Sequence, residues 1–401
     1  MPASLPAPDL AARSAVRALV ASQIREVANA GMGDRDILAF WFGEPDEVTP
    51  AYIRDAAVAA LAAGDTFYTQ NFGIPELREA IAGYLSRLQQ PGGARIGADN
   101  IAVTASGMSA LMLAVEALVN PGDRVVCVTP LWPNLTEIPK ILGADVVRVA
   151  LDFGPDGWAL DVAKLIDALT PGTRALMINS PNNPTGWTID RAAQAAILDH
   201  CRWHGIWIVA DDVYERLYYG RAGDSGSRSP SFLDLATPDD RIVSTNSFSK
   251  AWSMTGWRLG WIVAPAALMP DLGKLIEYNT SCCPGFVQRA GVAAITRGEA
   301  TVAHTVARYR HARDFLCQSL RVLPGIEAAP PAGAMYVFFR IAGVTDSLDF
   351  CKRLVREAKL GLAPGSAFGP EGEGFVRWCF AAGEERLADG VTRLARFLAW
   401  R

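Results

Sequence analysis

The chain has 401 residues, 50% of them hydrophobic, with 38 Lys and Arg against 42 Asp and Glu, a net charge of −4 and a pI near 5.7. That length can bury a sizeable core and suggests two or so domains. Neither a basic excess nor an acidic tail is present, which excludes nucleic acid as the expected partner and favours a small molecule or a second copy of the chain.

The first 33 residues carry an apolar pattern interrupted by Arg13, Arg17 and Arg25. With no unbroken apolar run they do not read as a signal peptide, but as a Pro-containing start followed by an amphipathic helix ending at Gly31. After "FGEPDEVTP" (42–50) a helix, "AYIRDAAVAALAAG", closes at Gly64, and a second starts at Pro75, a residue suited to a first helical turn. From residue 101 short β-branched runs recur: 101–104, 124–130, 145–151, 175–181, 206–212, 241–247 and 259–264. Helical stretches separate most of them. Continuous apolar strands alternating with helices predict an α/β fold, a mostly parallel seven-stranded sheet sandwiched by helices. Residues 221–230 read as a polar loop. Beyond about residue 290 two long helical patterns (about 286–322 and 346–359) flank the short strands "AMYVFFRI" and "FVRWCFA". This predicts a smaller α+β domain over 291–401, completed by the N-terminal segment 1–45, with the large domain over 46–290. No run of about 18 apolar residues suggests a membrane span.

The seven cysteines include no C-x-x-C pair, so neither a disulfide framework nor a zinc site is expected, and reduced thiols in a cytoplasm fit better. His200 and His204 are four apart on a predicted helix but lack the acid of an H-E-x-x-H motif. They read as helix-surface histidines, and no metal is expected.

In open α/β sheets ligands sit beyond the carboxyl ends of the strands. Residues 101–104 lead into "ASGMSA", a small-residue turn that opens a helix and frees the N–H groups of Ser106, Gly107 and Met108 for an anion. Leu131-Trp132-Pro133 follows the next run, and "PNNPTG" places Asn183 on a Pro-flanked turn. Asp211, with Tyr214 three residues on, follows "IWIVA", and Ser249 and Lys250 follow the run 241–247, which ends at Ser247. Each alone has a plain structural reading: a turn, a core tryptophan, a helix cap, a snorkelling lysine. Together they suit one ligand. It has a phosphate, a flat ring with a basic nitrogen facing a carboxylate, a ring oxygen facing hydroxyl and amide donors, and a carbonyl within reach of an amine. Pyridoxal 5′-phosphate has these parts.

The stretches "FGEPDEVTP", "FYTQNFGIPELREAIA", "VTASGMSAL", "PLWPN", "NSPNNPTG", "ADDVYERL", "SFSKAWSMTGWRLGW" and "FVRWCFA" together resemble the class I/II pyridoxal-phosphate aminotransferases, in family order and over most of the chain. The resemblance implies an internal aldimine at Lys250, whose amine then carries the proton at substrate Cα. It implies Asp211 on the pyridinium nitrogen, and Tyr214 and Asn183 on the ring oxygen. Trp132 would lie against the ring. Ser247, Ser249, Arg258 and the Ser106–Met108 backbone would cradle the phosphate, joined by Tyr68 from a neighbouring subunit of a homodimer. Arg377, with the Gly43 N–H, Trp132 and Asn183, would bind the amino-acid or 2-oxo-acid substrate. Glu44 and Asp46 read as structural, whereas Glu47 stands where the family has an aromatic and would alter the pocket mouth.

The expected reaction is ping-pong transamination. A C–S β-lyase or a decarboxylase starts from the same aldimine and stays open on the motifs. A non-enzymatic ligand sensor lacks a DNA-binding head, since only about 40 residues precede "FGEPD". A nicotinamide dehydrogenase lacks its glycine motif. Some aspartate-selective members place a lysine in the turn where Met108 stands, which leaves a dicarboxylic substrate open. Trp252, Trp257 and Trp261 are read as packing unless they face the cofactor.

Overall fold

A computed structural model describes residues 11–89, 93, 95–220 and 227–399. The first ten residues and positions 221–226 of the predicted polar loop lie outside the described residues. The seven β-branched runs form β1 (Ile101–Thr104), β2 (Arg124–Thr129), β3 (Asp145–Ala150), β4 (Thr173–Asn179), β5 (Trp207–Asp211), β6 (Ile242–Ser247) and β7 (Gly260–Val263). They make one sheet in the order β1-β7-β6-β5-β4-β2-β3, parallel except for β7, which runs antiparallel to both its neighbours. Both faces are covered, so successive residues of β2 are buried whichever way they point: Val125, Val126, Cys127 and Val128 are all at 1% exposure or less. One core lies on each face.

The direction of the strands positions the site. Thr104, Thr129, Asn179, Asp211 and Ser247 end their strands at one edge of the sheet, where β7 begins at Gly260.

A second sheet contains β8 (Ile326–Glu327), β9 (Tyr336–Ile341), β10 (Ala363–Pro364) and β11 (Phe375–Cys379) in the order β8-β9-β11-β10. Its core takes Ile24, Val27, Phe40 and Trp41 from the N-terminal segment together with Leu316, Phe338, Trp378 and Leu387. Leu38–Ala39 pairs in parallel with Leu360–Gly361, tying the two ends of the chain together. A Cβ on Gly361 would lie 2.1 Å from the Trp41 ring, so this contact requires glycine.

Three helical expectations change. The single helix ending at Gly31 is two short pieces, Ser14–Arg17 and Gln23–Asn29. Ser22 has extended backbone and its Oγ accepts the Arg25 N–H at 3.3 Å, which caps a new start. The pattern over 286–322 breaks at Gly298 into Gly285–Arg297 and Glu299–Arg321. There the chain passes close to Trp252, leaving no room for a Cβ, which would lie 2.8 Å from the indole Nε1. A C-terminal helix, Glu384–Ala399, escaped sequence reading; it sends Leu387, Leu394 and Phe397 into the second core.

The tryptophans resolve as packing. Trp252 and Trp261 are buried against Tyr84 and Phe248, with Phe248 and Trp261 ring centroids 5.0 Å apart. Trp257 donates its indole N–H to Thr49 Oγ1 at 2.9 Å.

Candidate active site

A cleft of about 840 Å³ opens at the strand-end edge, between the large sheet and β9 and β11. It is lined by Gly43, Gly107, Met108, Trp132, Asn183, Asp211, Tyr214, Ser247, Ser249, Lys250, Arg258 and Arg377. Of the residues singled out in the sequence, Ser106 and Tyr68 stand outside this lining. Ser106 lies directly beneath it as the cap of helix Gly107–Leu118, and its Oγ accepts the Ser109 N–H at 3.1 Å. Tyr68 is on the surface at 92% exposure.

The turn after β1 is unusually tight. Ser106 has φ 137°, a strained value for a residue with a Cβ. A Cβ on Gly107 would meet the Ser247 Cβ at 3.0 Å, and one on Gly260 would meet the Gly107 nitrogen at 2.5 Å and the Ser106 carbonyl carbon at 2.7 Å. These glycines let β7 press the turn against Ser247, so that the first N–H groups of the helix open toward the cleft. Ser247 Oγ and Ser249 Oγ are 2.9 Å apart beside it, and the exposed Arg258 borders the same corner. Gly260→Ala is therefore expected to cost about 1–3 kcal/mol of stability by overpacking. Urea unfolding would test this, and a loss below about 0.5 kcal/mol would show that the turn adapts freely.

Lys250 follows β6. Its ammonium donates to the Gly43 carbonyl and lies 5.8 Å from the Tyr214 ring centroid. Burial depresses its pKa to about 8, against an opposing pull from Cys379 and Glu44 and with help from Arg377 and Arg258. Asp211 ends β5 and Asp212 directly follows it, and the two side chains face different ways. Asp212 turns into the protein, accepting from Ser244 Oγ at 2.7 Å and Ser231 Oγ at 3.3 Å. Asp211 faces the cleft, and among the described residues its carboxylate accepts only a long bond, 3.4 Å, from the Val213 N–H. Burial raises its pKa to about 7, opposed by that N–H and by Lys250.

Tyr214 Oη lies 2.7 Å from Tyr336 Oη. Asn183 is held by Asn179, whose Oδ1 accepts its backbone N–H at 2.7 Å, and its Oδ1 accepts Arg377 Nη1 at 2.8 Å. Arg377 is 2% exposed, and its Nη2 donates to the Trp41 carbonyl. The register that pairs Phe338 with Arg377 and Tyr336 with Cys379 puts Arg377 and Tyr336 on one face of the second sheet, with the guanidinium carbon 4.4 Å from the Tyr336 ring centroid. Nε of Arg377 is buried with no hydrogen-bond partner, and no carboxylate among the described residues pairs with this cation.

Tyr336, Asn179, Phe42 and Arg25 also line the cleft and were not found in the sequence. Tyr336 was legible only as the start of an apolar strand. Glu44, read as structural, borders the cleft instead. Asp46 is structural, paired with Arg308 and accepting the Gly383 N–H at 2.9 Å. Glu47 turns to Arg308 at 3.0 Å and does not line the cleft. His200 Nε2 lies 2.8 Å from the Leu169 carbonyl, and no cluster of metal-ligating side chains occurs among the described residues.

Comparison with known proteins bears on what such a cleft does. Residues 36–394 match the profile of the family described as aminotransferase class I and II. An aspartate aminotransferase of Pyrococcus horikoshii is 35% identical, over 94% of each chain. The chain belongs to the class I and II aminotransferases. A further relative, aromatic-amino-acid aminotransferase 2 of Thermococcus litoralis, is 32% identical over 94% of this chain and 95% of its own. The solved structure of Thermus thermophilus aspartate aminotransferase with maleate superposes with a TM-score of 0.87 at 32% identity, covering 96% of this chain and 99% of that one. This aminotransferase thus uses pyridoxal 5′-phosphate. Its cleft fits that group on two independent observations. A buried carboxylate, Asp211, lacks a strong donor, as a site for a protonated ring nitrogen would, and a glycine-lined turn presents free N–H groups where a phosphate needs them. No helix among the described residues is long and apolar enough to cross a membrane.

Proposed function

We propose that this aminotransferase moves the amino group of an L-amino acid to a 2-oxo acid in two half-reactions, the first product leaving before the second substrate binds. The observation that carries the reading is one cleft holding a buried amine of lowered pKa, a buried carboxylate without a strong donor and a buried guanidinium with an unpaired Nε. Bound pyridoxal 5′-phosphate supplies an electron sink for charge developing at the substrate Cα.

The residues divide the rest. Asp211 holds the proton of the ring nitrogen. Tyr214 and the free amide nitrogen of Asn183 would donate to the ring oxygen, and Trp132 would lie against the ring. The N–H groups of Ser106, Gly107 and Met108, the hydroxyls of Ser247 and Ser249, and Arg258 hold the phosphate. Lys250 Nζ anchors the cofactor, then takes up and returns the proton at the substrate Cα. Arg377 and the Gly43 N–H bind the α-carboxylate, with Trp132 and Asn183 beside it.

The visible absorbance of the loaded enzyme should bleach when an amino donor is added and return with a 2-oxo acid. Release of pyruvate and ammonia with no need for an acceptor would point to elimination and sink the reading. The amine must be neutral to capture the cofactor, and the neutral fraction grows about tenfold per pH unit below its pKa. With Lys250 near 8, cofactor capture by the apoprotein should accelerate up to about pH 8 and level above it. A stopped-flow rate that stays flat from about pH 6.5 to 9 would contradict this assignment.

The same reading makes the protein a homodimer in which Tyr68 reaches the neighbour's phosphate. Phe67, Tyr68 and Tyr278 are 84%, 92% and 90% exposed. Asn71 bonds Glu277 at 2.7 Å, which ties the loop holding Phe67 and Tyr68 to the helix end holding Tyr278. It divides the chain into 1–45, 46–290 and 291–401, supported by the core that Trp41 and Trp378 share. It also makes the protein cytoplasmic, in keeping with seven unpaired cysteines.

A further inference from the structure

Three of the four cations lining the cleft have a place in the reading above: Lys250, Arg258 and Arg377. Arg25 does not. It lies on the helix Gln23–Asn29, where Ser22, Ile24 and Arg25 form one wall of the cleft. Its guanidinium carbon is 4.9 Å from the ring centroid of Phe42, the neighbour of Gly43. A guanidinium held over an aromatic face still has N–H donors to offer a further partner. Among the described residues nothing engages those donors. The one hydrogen bond of Arg25 outside its helix ladder is from its backbone to Ser22, and it has no ion pair. Glu44 is the other charged residue of the lining that the reading leaves over, but it already acts on the Lys250 amine as a counter-charge. Arg25 is the cation with nothing to hold.

We propose that Arg25 is a specificity-determining residue that binds the distal carboxylate of a dicarboxylic amino acid or 2-oxo acid. This rests on the amino-transfer reading. It supplies from the N-terminal helix the second cation that Met108 does not provide. Arg377 and Arg25 then grip opposite ends of one substrate, the first buried and the second at the exposed rim. The phenyl ring of Phe42 limits the freedom Arg25 loses on binding.

The test compares holoenzyme with its Arg25→Ala and Arg25→Lys variants. Calorimetry with maleate, a dicarboxylate that cannot react as a donor, and with 4-methylpentanoate, a monocarboxylate, reads binding apart from turnover. Steady-state kinetics with aspartate, glutamate, leucine, alanine and arginine as donors read specificity. Arg25→Ala should weaken maleate, and kcat/KM for aspartate or glutamate, by about tenfold or more, the scale of one charge-assisted hydrogen bond. The monocarboxylate and the leucine and alanine rates should stay within about twofold. Arg25→Lys should restore part of the dicarboxylate preference. Equal losses for both ligand classes, a wild type that binds maleate no better than the monocarboxylate, or a preference for arginine as donor would overturn the proposal. If leucine or alanine still donate in those cases, the amino-transfer reading survives alone. If no donor is turned over by the wild type, that reading falls and the proposal with it.

Discussion

Lys250→Ala is expected to lower turnover by about 10⁴-fold or more and to abolish the visible absorbance that forms when the cofactor is added. On the proposed reading the substitution removes two functions at once. No other lysine lines the cleft, so no amine remains to bond the cofactor carbonyl, and no base remains at the place where the Lys250 ammonium meets the Gly43 carbonyl. The loss should not come from unfolding. Burial holds the Lys250 pKa at about 8, below the 10.5 of an exposed lysine. Between those values the unfolded chain binds more protons than the native one, so wild-type apoprotein stability rises with pH from about 8 to 10.5. Below 8 the buried cation carries the full cost of its burial. Lys250→Ala should therefore show an apoprotein Tm at pH 7 equal to or above wild type, and should lack the rise above pH 8. A variant that keeps more than about a hundredth of wild-type turnover would remove Lys250 from the centre of the mechanism.

The strand ends were legible because the chemistry there is local. A β-branched run that stops at a polar residue marks both an element and its functional end, and in a parallel sheet those ends converge by topology alone. Asp211, Asn183 and Lys250 arise this way, and the structure brings them to one edge. Even the choice between Asp211 and Asp212 rests on a short-range rule, since of the strand's last residue and the one after it only Asp211 faces the cleft.

Residues contributed by the second sheet were harder to read. Tyr336 reaches Tyr214 and Arg377 only through the register of β9 against β11, and an antiparallel pairing across such a separation leaves no mark in either strand. Arg25 is further from legibility still, on a seven-residue helix whose start depends on the Ser22 cap and whose wall position depends on Phe42. The merged helix over 286–322 failed for a related reason. Gly298 is a small residue in a helical pattern until Trp252 is known to press against it. The tryptophans around Lys250 read as packing because indoles this dense near a strand end fill a core by default, and Trp252 and Trp261 do lie in the core.

Arg377→Gln should reduce kcat/KM for amino donors by about 10²–10³-fold while leaving cofactor binding and absorbance within about twofold. A guanidinium has five N–H donors. Here one goes to Asn183 Oδ1 and one to the Trp41 carbonyl, and Nε has none of its neighbours to donate to. An unpaired cation at 2% exposure is expensive, and the fold holds it between the Tyr336 and Phe368 rings, 4.4 and 4.9 Å from their centroids. The arrangement is stable in function only if an anion arrives, and a carboxylate matches the fork that remains. Glutamine keeps an amide near Asn183 and Trp41, so the variant should fold, which a thermal melt would check. Arg377→Lys should fall nearly as far, because a point ammonium cannot hold Asn183 and both carboxylate oxygens together. The half-reaction separates the roles: the loss should appear in the donor concentration needed for half-maximal bleaching, not in the absorbance before donor is added. Both variants staying within about threefold of wild type would place the α-carboxylate elsewhere in the cleft.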